Sequence, residues 1–371
     1  MSKLDYNVPN SYINDWKASG KKVAGTICCH IPEELIHAAG ILPVRLKATG
    51  VKDDSKASLW MTSFSCSFAR ACLEQIIDGN YDCMDALIGS NGCLMAQRTY
   101  DNAKGIDPEQ KKYKQVQFTA PRIKSEDSIQ FYIQETKDLI KVLEEISGNE
   151  ITEDKLKASI ALYNETRRLI KQLYEFRKAD EPVITGTETL EWILAASAMP
   201  KEQFNEELKA FLEELKTRKP VEGVRARVMV VGSALDDPEF AKIIEDQGAL
   251  IVTDAICFGT RYLWEEVDET KDPLRALAEC YLNRPTCPRM MDVHEDLSKF
   301  IVDMAEEFDC DGIINVMVKN CVPWGSENFF LKDKYEEAGI PALTIEREEI
   351  TTNAGQVAIR VGAFVEMIEE D

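Results

Sequence analysis

Eleven cysteines are spread along the 371 residues, at Cys28, Cys29, Cys66, Cys72, Cys83, Cys93, Cys257, Cys280, Cys287, Cys310 and Cys321. Four of them fall between residues 62 and 95, and none of those four forms a Cys-x-x-Cys pair. Three chemistries compete for such a stretch: buried filler, a redox pair, or half of a metal site. An odd total speaks against a complete disulfide framework. Thiolates gathered without histidines are the ligand set of an iron–sulfur cluster or a structural zinc. Zinc usually announces itself by closely spaced pairs from one loop, which are missing. Three separated thiolates would leave one iron of a cluster with an open position, which suits substrate chemistry.

Placing those thiols requires the elements around them. Residues 22–120 alternate apolar, β-rich runs ("KVAGTICC", "LPVRLKA", "CMDALIGS", "YKQVQFTAP") with amphipathic stretches such as "SFARACLEQIIDG". Strands alternating with helices imply parallel pairing in an open α/β sheet. From about 125 to 220 the texture turns to long charged helical periodicity, with "SEDS" and "TEDK" as N-cap starts. From about 221 the α/β pattern returns with "RARVMVVGSALDD", "GALIVTDAICFG", "DGIINVMVKNC" and "IPALTIEREEI". The expected organisation is an α/β domain over 1–124, a helical insertion or lid over 125–220, and a second α/β domain over 221–371.

In open parallel sheets, ligands sit beyond the carboxyl ends of the strands. Cys93, Cys257 and Cys321 each lie just past a strand-like run, and Cys66 begins a helix, where free N–H groups and the dipole favour a thiolate. These four are weighted toward function. Cys72, Cys83 and Cys310 are expected to be packing residues, and Cys280 sits in the middle of a helix.

The bulk composition limits the partners. With 65 Asp+Glu against 44 Lys+Arg, the formal charge is -21, a field that repels phosphate backbones and anionic lipid. Neither nucleic acid nor a membrane is expected. The polar start "MSKLDYNVPNSYINDW" reads as cytoplasmic, where structural disulfides are rare. No P-loop is found and "GSALDD" is poor in glycine, so ATP hydrolysis would have to come from another protein.

An ordered series of segments resembles the 2-hydroxyacyl-CoA dehydratase/benzoyl-CoA reductase family, smaller-subunit type, over nearly the full length. The series runs through "GTICCHIPEELIHAAGILPVRL", "CSFARACLEQIIDGNYDCMDALIGSNGC", "ALYNETRRL", "DAICFGTRYLW", "NVMVKNC", "EEAGIPALTIERE" and "GQVAIRVGAFVEMI". The resemblance implies two open parallel-sheet (flavodoxin-like) domains with a helical insertion and an iron–sulfur cluster between the domains. Its three cluster cysteines map onto Cys66, Cys93 and Cys321, which would hold a [4Fe-4S] cluster. It further implies a homologous partner subunit, an ATP-dependent iron–sulfur activator protein, and an acyl-CoA substrate that is dehydrated or reduced through radical chemistry.

Departures from the pattern leave the reaction open. Dehydratases of the family carry Asp after the second and third cluster cysteines, where this chain has Leu94 and Val322. Cys257 and Cys287 stand where double-cubane reductases of the family have extra ligands, which implies an alternative [8Fe-9S] double-cubane cluster in a homodimer. Those relatives have a further cysteine near Cys287, a place taken here by Arg289. A third alternative is a non-catalytic scaffold paralogue. Glu34 and His30 are the candidate catalytic residues, Glu34 touching substrate or a ligand and His30 donating a proton. Against these stand a helix-start glutamate that favours the dipole and a loop histidine. Ser65 and Ser67 flank Cys66 and would either donate hydrogen bonds to its sulfur or cap the helix. Arg261 is expected to meet an anionic CoA group or an acidic neighbour.

Overall fold

A computed structural model describes residues 4–285, 287–350 and 353–369. Helix α1 (Ser11–Ala18) precedes β1 (Lys22–Thr26), α2 (Glu33–Ala38) and β2 (Ile41–Arg45). Then follow α3 (Ser67–Ile77), β3 (Ala86–Ser90), α4 (Leu94–Ile106) and β4 (Lys114–Phe118). Four helices succeed one another without a strand: α5 (Glu126–Ser147), α6 (Glu153–Lys178), α7 (Gly186–Ala196) and α8 (Lys201–Leu215). The second half comprises β5 (Ala226–Gly232), α9 (Pro238–Glu245), β6 (Ala249–Ala255), α10 (Pro273–Asn283) and α11 (His294–Glu307). It closes with β7 (Gly312–Val318), α12 (Val322–Glu337), β8 (Ala342–Arg347) and α13 (Ala354–Glu369).

The strands form two four-stranded sheets, ordered β2-β1-β3-β4 and β6-β5-β7-β8, and every pairing is parallel. The fold is therefore α/β with two parallel sheets of the same winding. Strands β2, β3 and β6 are buried along their whole length, as sheets covered on both faces require. The edge strands β4 and β8 carry exposed positions. In each sheet the winding reverses between two neighbours, β1/β3 and β5/β7, and the connections leave a crevice at that point. Gly232, ending β5 at φ +154°, lies so near β7 that a Cβ there would fall 2.0 Å from the Val316 carbonyl oxygen.

Local chemistry starts and stops these helices. The Ser125 and Thr152 hydroxyls accept the Ser128 and Lys155 N–H groups at 3.1 and 3.3 Å, so "SEDS" and "TEDK" cap as expected. Thr185 and Glu188 form a reciprocal capping box on α7. Asp272 and Asp237 cap α10 and α9 with proline next, and Gly148 ends α5 in the left-handed region at φ 72°.

The charged helices bury one face against both halves instead of standing off them. Tyr132, Leu139 and Leu143 of α5 share a core with Ile88 of β3 and with Leu277 and Tyr281 of α10. Leu169 to Tyr174 of α6 pack with Trp192, Phe204, Met229 and Val252. Where α2, α6 and α10 cross, the Arg167 guanidinium donates to Glu34 at 2.6 Å and the Tyr281 hydroxyl donates to it at 2.7 Å. Burial opposes ionisation of Glu34, but those two partners outweigh it and hold the carboxyl below its ordinary range. The two sheets are also tied directly, because the buried Asp236 carboxylate after β5 accepts the N–H groups of Ala48 and Thr49.

Beside that tie, Lys47 is buried and its ammonium donates to the carbonyls of Tyr6 and Leu194. Burial pushes the amine down to about 7, against about 10.4 in an unfolded chain. A base with a depressed folded value stabilises the fold fully above about pH 10 and loses that contribution as pH falls toward about 7. Urea midpoints of the wild type should accordingly fall over that window, and Lys47→Met should flatten the fall despite the two carbonyls it leaves without a donor. Parallel pH curves for the two proteins would show that Lys47 carries no such linkage.

Candidate functional site

The residues after the strands at both reversal points line one cavity of about 100 Å³. The first sheet contributes Cys28, Cys29 and His30 after β1, and Gly92 and Cys93 after β3. The second contributes Ser233 after β5, Cys257 after β6 and Cys321 after β7. Cys66, from the long connection after β2, and Cys287, ahead of α11, complete the set. Seven of the eleven cysteines thus line a single space.

Cys66, Cys93 and Cys321 share one local geometry: each is the N-cap of the helix that follows it, α3, α4 and α12 respectively. The Cys93 sulfur accepts the Ala96 N–H at 3.4 Å. Burial pushes the Cys66 thiol up to about 12, while the N–H groups of Ala69 and Phe68 and the helix start work the other way. Burial likewise raises Cys93 and Cys321, opposed by the N–H groups of Ala96 and Trp324. The three also raise one another as like-charged neighbours. Three helix N-termini therefore open on the cavity that the three sulfurs line, a setting that favours thiolates once a cation shares the space.

Guanidinium groups supply positive charge behind them. Arg261 is buried, donates to the carbonyls of Ala255 at 3.1 Å and Gly232 at 2.7 Å, and to the Cys257 sulfur at 3.2 Å. Its plane lies over Trp324. Among the described protein groups Arg261 thus meets carbonyls and a thiol, where an acidic neighbour is one of the expected partners. Burial pushes Cys257 up to about 11, with Arg261 opposing. The hydrogen bond from Cys28 pulls the Cys29 thiol well below its usual range, aided against burial by Arg284, Arg45 and Arg261. Arg289 donates to the Pro121 carbonyl at 2.9 Å and lines the cavity close to Cys287 in sequence.

Among the described residues, no three His, Cys, Asp or Glu side chains converge as the ligands of one metal ion would. The thiols ring a space instead, which suits a group with several metal atoms, each thiolate holding its own. The wall is otherwise apolar, with Ile27, Phe68, Val318 and Trp324, and His30 Nδ1 is buried without a hydrogen-bond partner among the described residues. The residues present fit an iron–sulfur cluster.

Other expected residues fall in different places. Burial and the guanidiniums of Arg289, Arg284 and Arg261 hold His30 well below the usual histidine range, so it lines the cavity as a neutral imidazole. Glu34 is absent from the cavity lining and is spent on Arg167 and Tyr281. Cys66, not a serine, occupies the cap of α3. The Ser67 hydroxyl accepts the Glu349 N–H at 3.3 Å, and Ser65 is buried beside it. Cys72 is fully buried in the core around β1 and β3. Cys28 and Cys29 escape the sequence reading: the strand-end signal that marks Cys93 applies to them, but the apolar run places both inside the strand.

A second, open cavity of about 370 Å³ shares Cys66, Cys93 and Cys321 with the first. Leu94 and Val322 stand on its wall, 59% and 70% exposed. Arg122, Arg289, His294 and Glu327 line it as well. The three helix-capping cysteines therefore line both cavities, together with Gly92, Met95, Arg289 and Pro323.

Residues 28–368 match the family described as 2-hydroxyglutaryl-CoA dehydratase, D-component. The chain is 30% identical to the (R)-phenyllactyl-CoA dehydratase beta subunit of Clostridium sporogenes, covering 97% of this chain and 96% of that one. It is 27% identical to the beta subunit of lactoyl-CoA dehydratase of Anaerotignum propionicum, at 97% and 96% coverage. It is 26% identical to one of the subunits of benzoyl-CoA reductase of Thauera aromatica, at 95% and 93% coverage. The chain belongs to this family of acyl-CoA dehydratase and reductase components.

Arg261 is the hub of the wall, so its removal has a defined cost. Arg261→Met should keep the volume but leave two buried carbonyls without a donor, at about 1–3 kcal/mol each. The expected result is a clear drop in thermal midpoint; an unchanged midpoint would mean that water replaces the guanidinium there.

Proposed function

We propose that, as a member of this family, the protein is an iron–sulfur subunit of an acyl-CoA dehydratase or reductase, with Cys66, Cys93 and Cys321 holding a [4Fe-4S] cluster between the domains at 1–124 and 221–371, and 125–220 as the helical insertion. The observation that carries the reading is the shared helix-capping position of those three cysteines on one cavity wall. When bound, such a cluster supplies a single low-potential electron for activating an acyl-CoA thioester. The chain's own residues hold and tune it: the helix N-termini favour the thiolates, Arg261 and Arg45 balance charge, and Phe68, Val318 and Trp324 exclude water. A homologous partner subunit and an ATP-dependent iron–sulfur activator complete the system, in the reducing cytoplasm. No helix among the described residues is long and apolar enough to cross a membrane.

A second reading within the family has its own support. Cys28, Cys29, Cys257 and Cys287 line the same cavity as the three capping cysteines. That is enough thiol for a [8Fe-9S] double-cubane cluster, with the β1 end supplying the thiolate that Arg289 displaces beside Cys287. The exchange of two aspartates for Leu94 and Val322 agrees with a reaction other than 2-hydroxyacyl-CoA dehydration.

Anaerobic iron and sulfide analysis decides between the readings. The first predicts about four irons per chain, strongly reduced by Cys93→Ala and indifferent to Cys257→Ser. The second predicts about eight, falling with Cys257→Ser. A chain that takes up less than about one iron when reconstituted would be the scaffold paralogue, and would refute both.

A further inference from the structure

The open cavity carries an imidazole–carboxylate pair on its wall. His294, the first residue of α11, directs Nδ1 at both carboxylate oxygens of Glu327 in α12, at 2.8 and 3.0 Å. Glu327 is 3% exposed in its side chain, whereas His294 is 50% exposed. The Phe330 ring, 4.6 Å away between centroids, fixes the plane of the imidazole. Because the carboxylate can only accept, Nδ1 carries hydrogen and Nε2 is the nitrogen left to gain or lose a proton. Both side chains line the cavity that Cys66, Cys93 and Cys321 also line.

The other charges around this pair are accounted for. On α11 itself, Glu295 meets Lys334 of α12 at 3.5 Å, and Asp296 meets Lys124 at 2.7 Å. Arg122 donates to the Asn91 carbonyl at 3.2 Å and Arg289 to that of Pro121 at 2.9 Å. Asp292 is exposed ahead of the helix. Glu327 thus has the His294 imidazole as its hydrogen-bond partner, and an isolated buried carboxylate is costly.

We propose that His294, oriented by Glu327, is the redox-linked proton acceptor of this site. The inference rests on the cluster reading above. When the group held by the three cysteines gains one electron from a low-potential iron–sulfur donor protein, one negative charge is added beside the cavity. One proton then moves from solvent to His294 Nε2; no other bond forms or breaks. Coupling is reciprocal, so the proton on His294 in turn makes reduction easier. Glu327 acts through His294 and is a positioning residue.

The test is an EPR-monitored redox titration of the anaerobically reconstituted protein between about pH 6 and pH 8. The wild-type midpoint potential should fall as pH rises across this range, because reduction would be accompanied by uptake of a proton. His294→Gln retains an amide donor for Glu327 but takes up no proton, so its potential should be flat at unchanged iron content. Glu327→Gln should keep a slope but move it to lower pH, since the imidazolium loses its counter-charge. A merely structural pair would change stability in these variants and leave the slope alone. A flat wild-type potential, or a slope kept by His294→Gln, would overturn the inference while leaving the cluster reading intact. Failure to take up iron would overturn the cluster reading, and this inference with it.

Discussion

Charge balance in an apolar space is the constraint on which the rest of this structure depends. Seven thiols share a cavity with Ile27, Phe68 and Val318 on its walls. A cluster of ionised sulfurs there would be strongly unfavourable without compensation. Compensation comes from three sources: the starts of α3, α4 and α12, the guanidiniums of Arg45, Arg261 and Arg284, and any cationic group the thiols themselves bind. The guanidiniums are positioned by backbone carbonyls and aromatic faces. Arg45 donates to the Cys257 carbonyl at 2.6 Å and lies over Phe258, and Arg261 is held by two carbonyls and Trp324. Their charge is thereby left for the sulfurs instead of being neutralised by carboxylates.

The topology explains why the cysteines can be so far apart in sequence. A winding of 2-1-3-4 opens a crevice between the ends of its two central strands, and this chain has two such windings. Residues after β1 and β3 meet residues after β5 and β7 around one space. Keeping the two sheets in register is the task of buried polar ties outside the cavity lining: Glu34 with Arg167 and Tyr281, and Asp236 with Ala48 and Thr49. Breaking one partner of such a tie is much costlier than never having made it. Glu34 is therefore important to the site without being in it.

Local signals are legible in the sequence and distant ones are not. The caps at Ser125 and Thr152, the parallel alternation and the strand-end positions of Cys93, Cys257 and Cys321 all follow from neighbours within a few residues. Cys28 and Cys29 escape the same signal because β1 ends at Thr26, three residues earlier than the apolar run suggests. Glu34 and Arg167 are 133 positions apart, and His294 and Glu327 are 33 apart. No periodicity couples such pairs, since only the folded chain brings them within hydrogen-bond reach. The surroundings of Arg261 are hidden for the same reason: its partners are carbonyls, which a sequence does not display.

The two residues that depart from the dehydratase pattern acquire a physical meaning from their position. Leu94 and Val322 each follow a capping cysteine, so each is the first residue of its helix. An aspartate there would interact favourably with the helix dipole and set a negative charge at the rim of the open cavity. Leucine and valine forgo that stabilisation and expose apolar surface, as do Phe329 and Phe330 further along α12. With the aspartates gone, His294 and Glu327 remain as an ionisable pair on that wall. Apart from the thiols, the ionisable side chains on that wall are thus an imidazole–carboxylate pair and the guanidiniums of Arg122 and Arg289, with apolar residues at both helix starts.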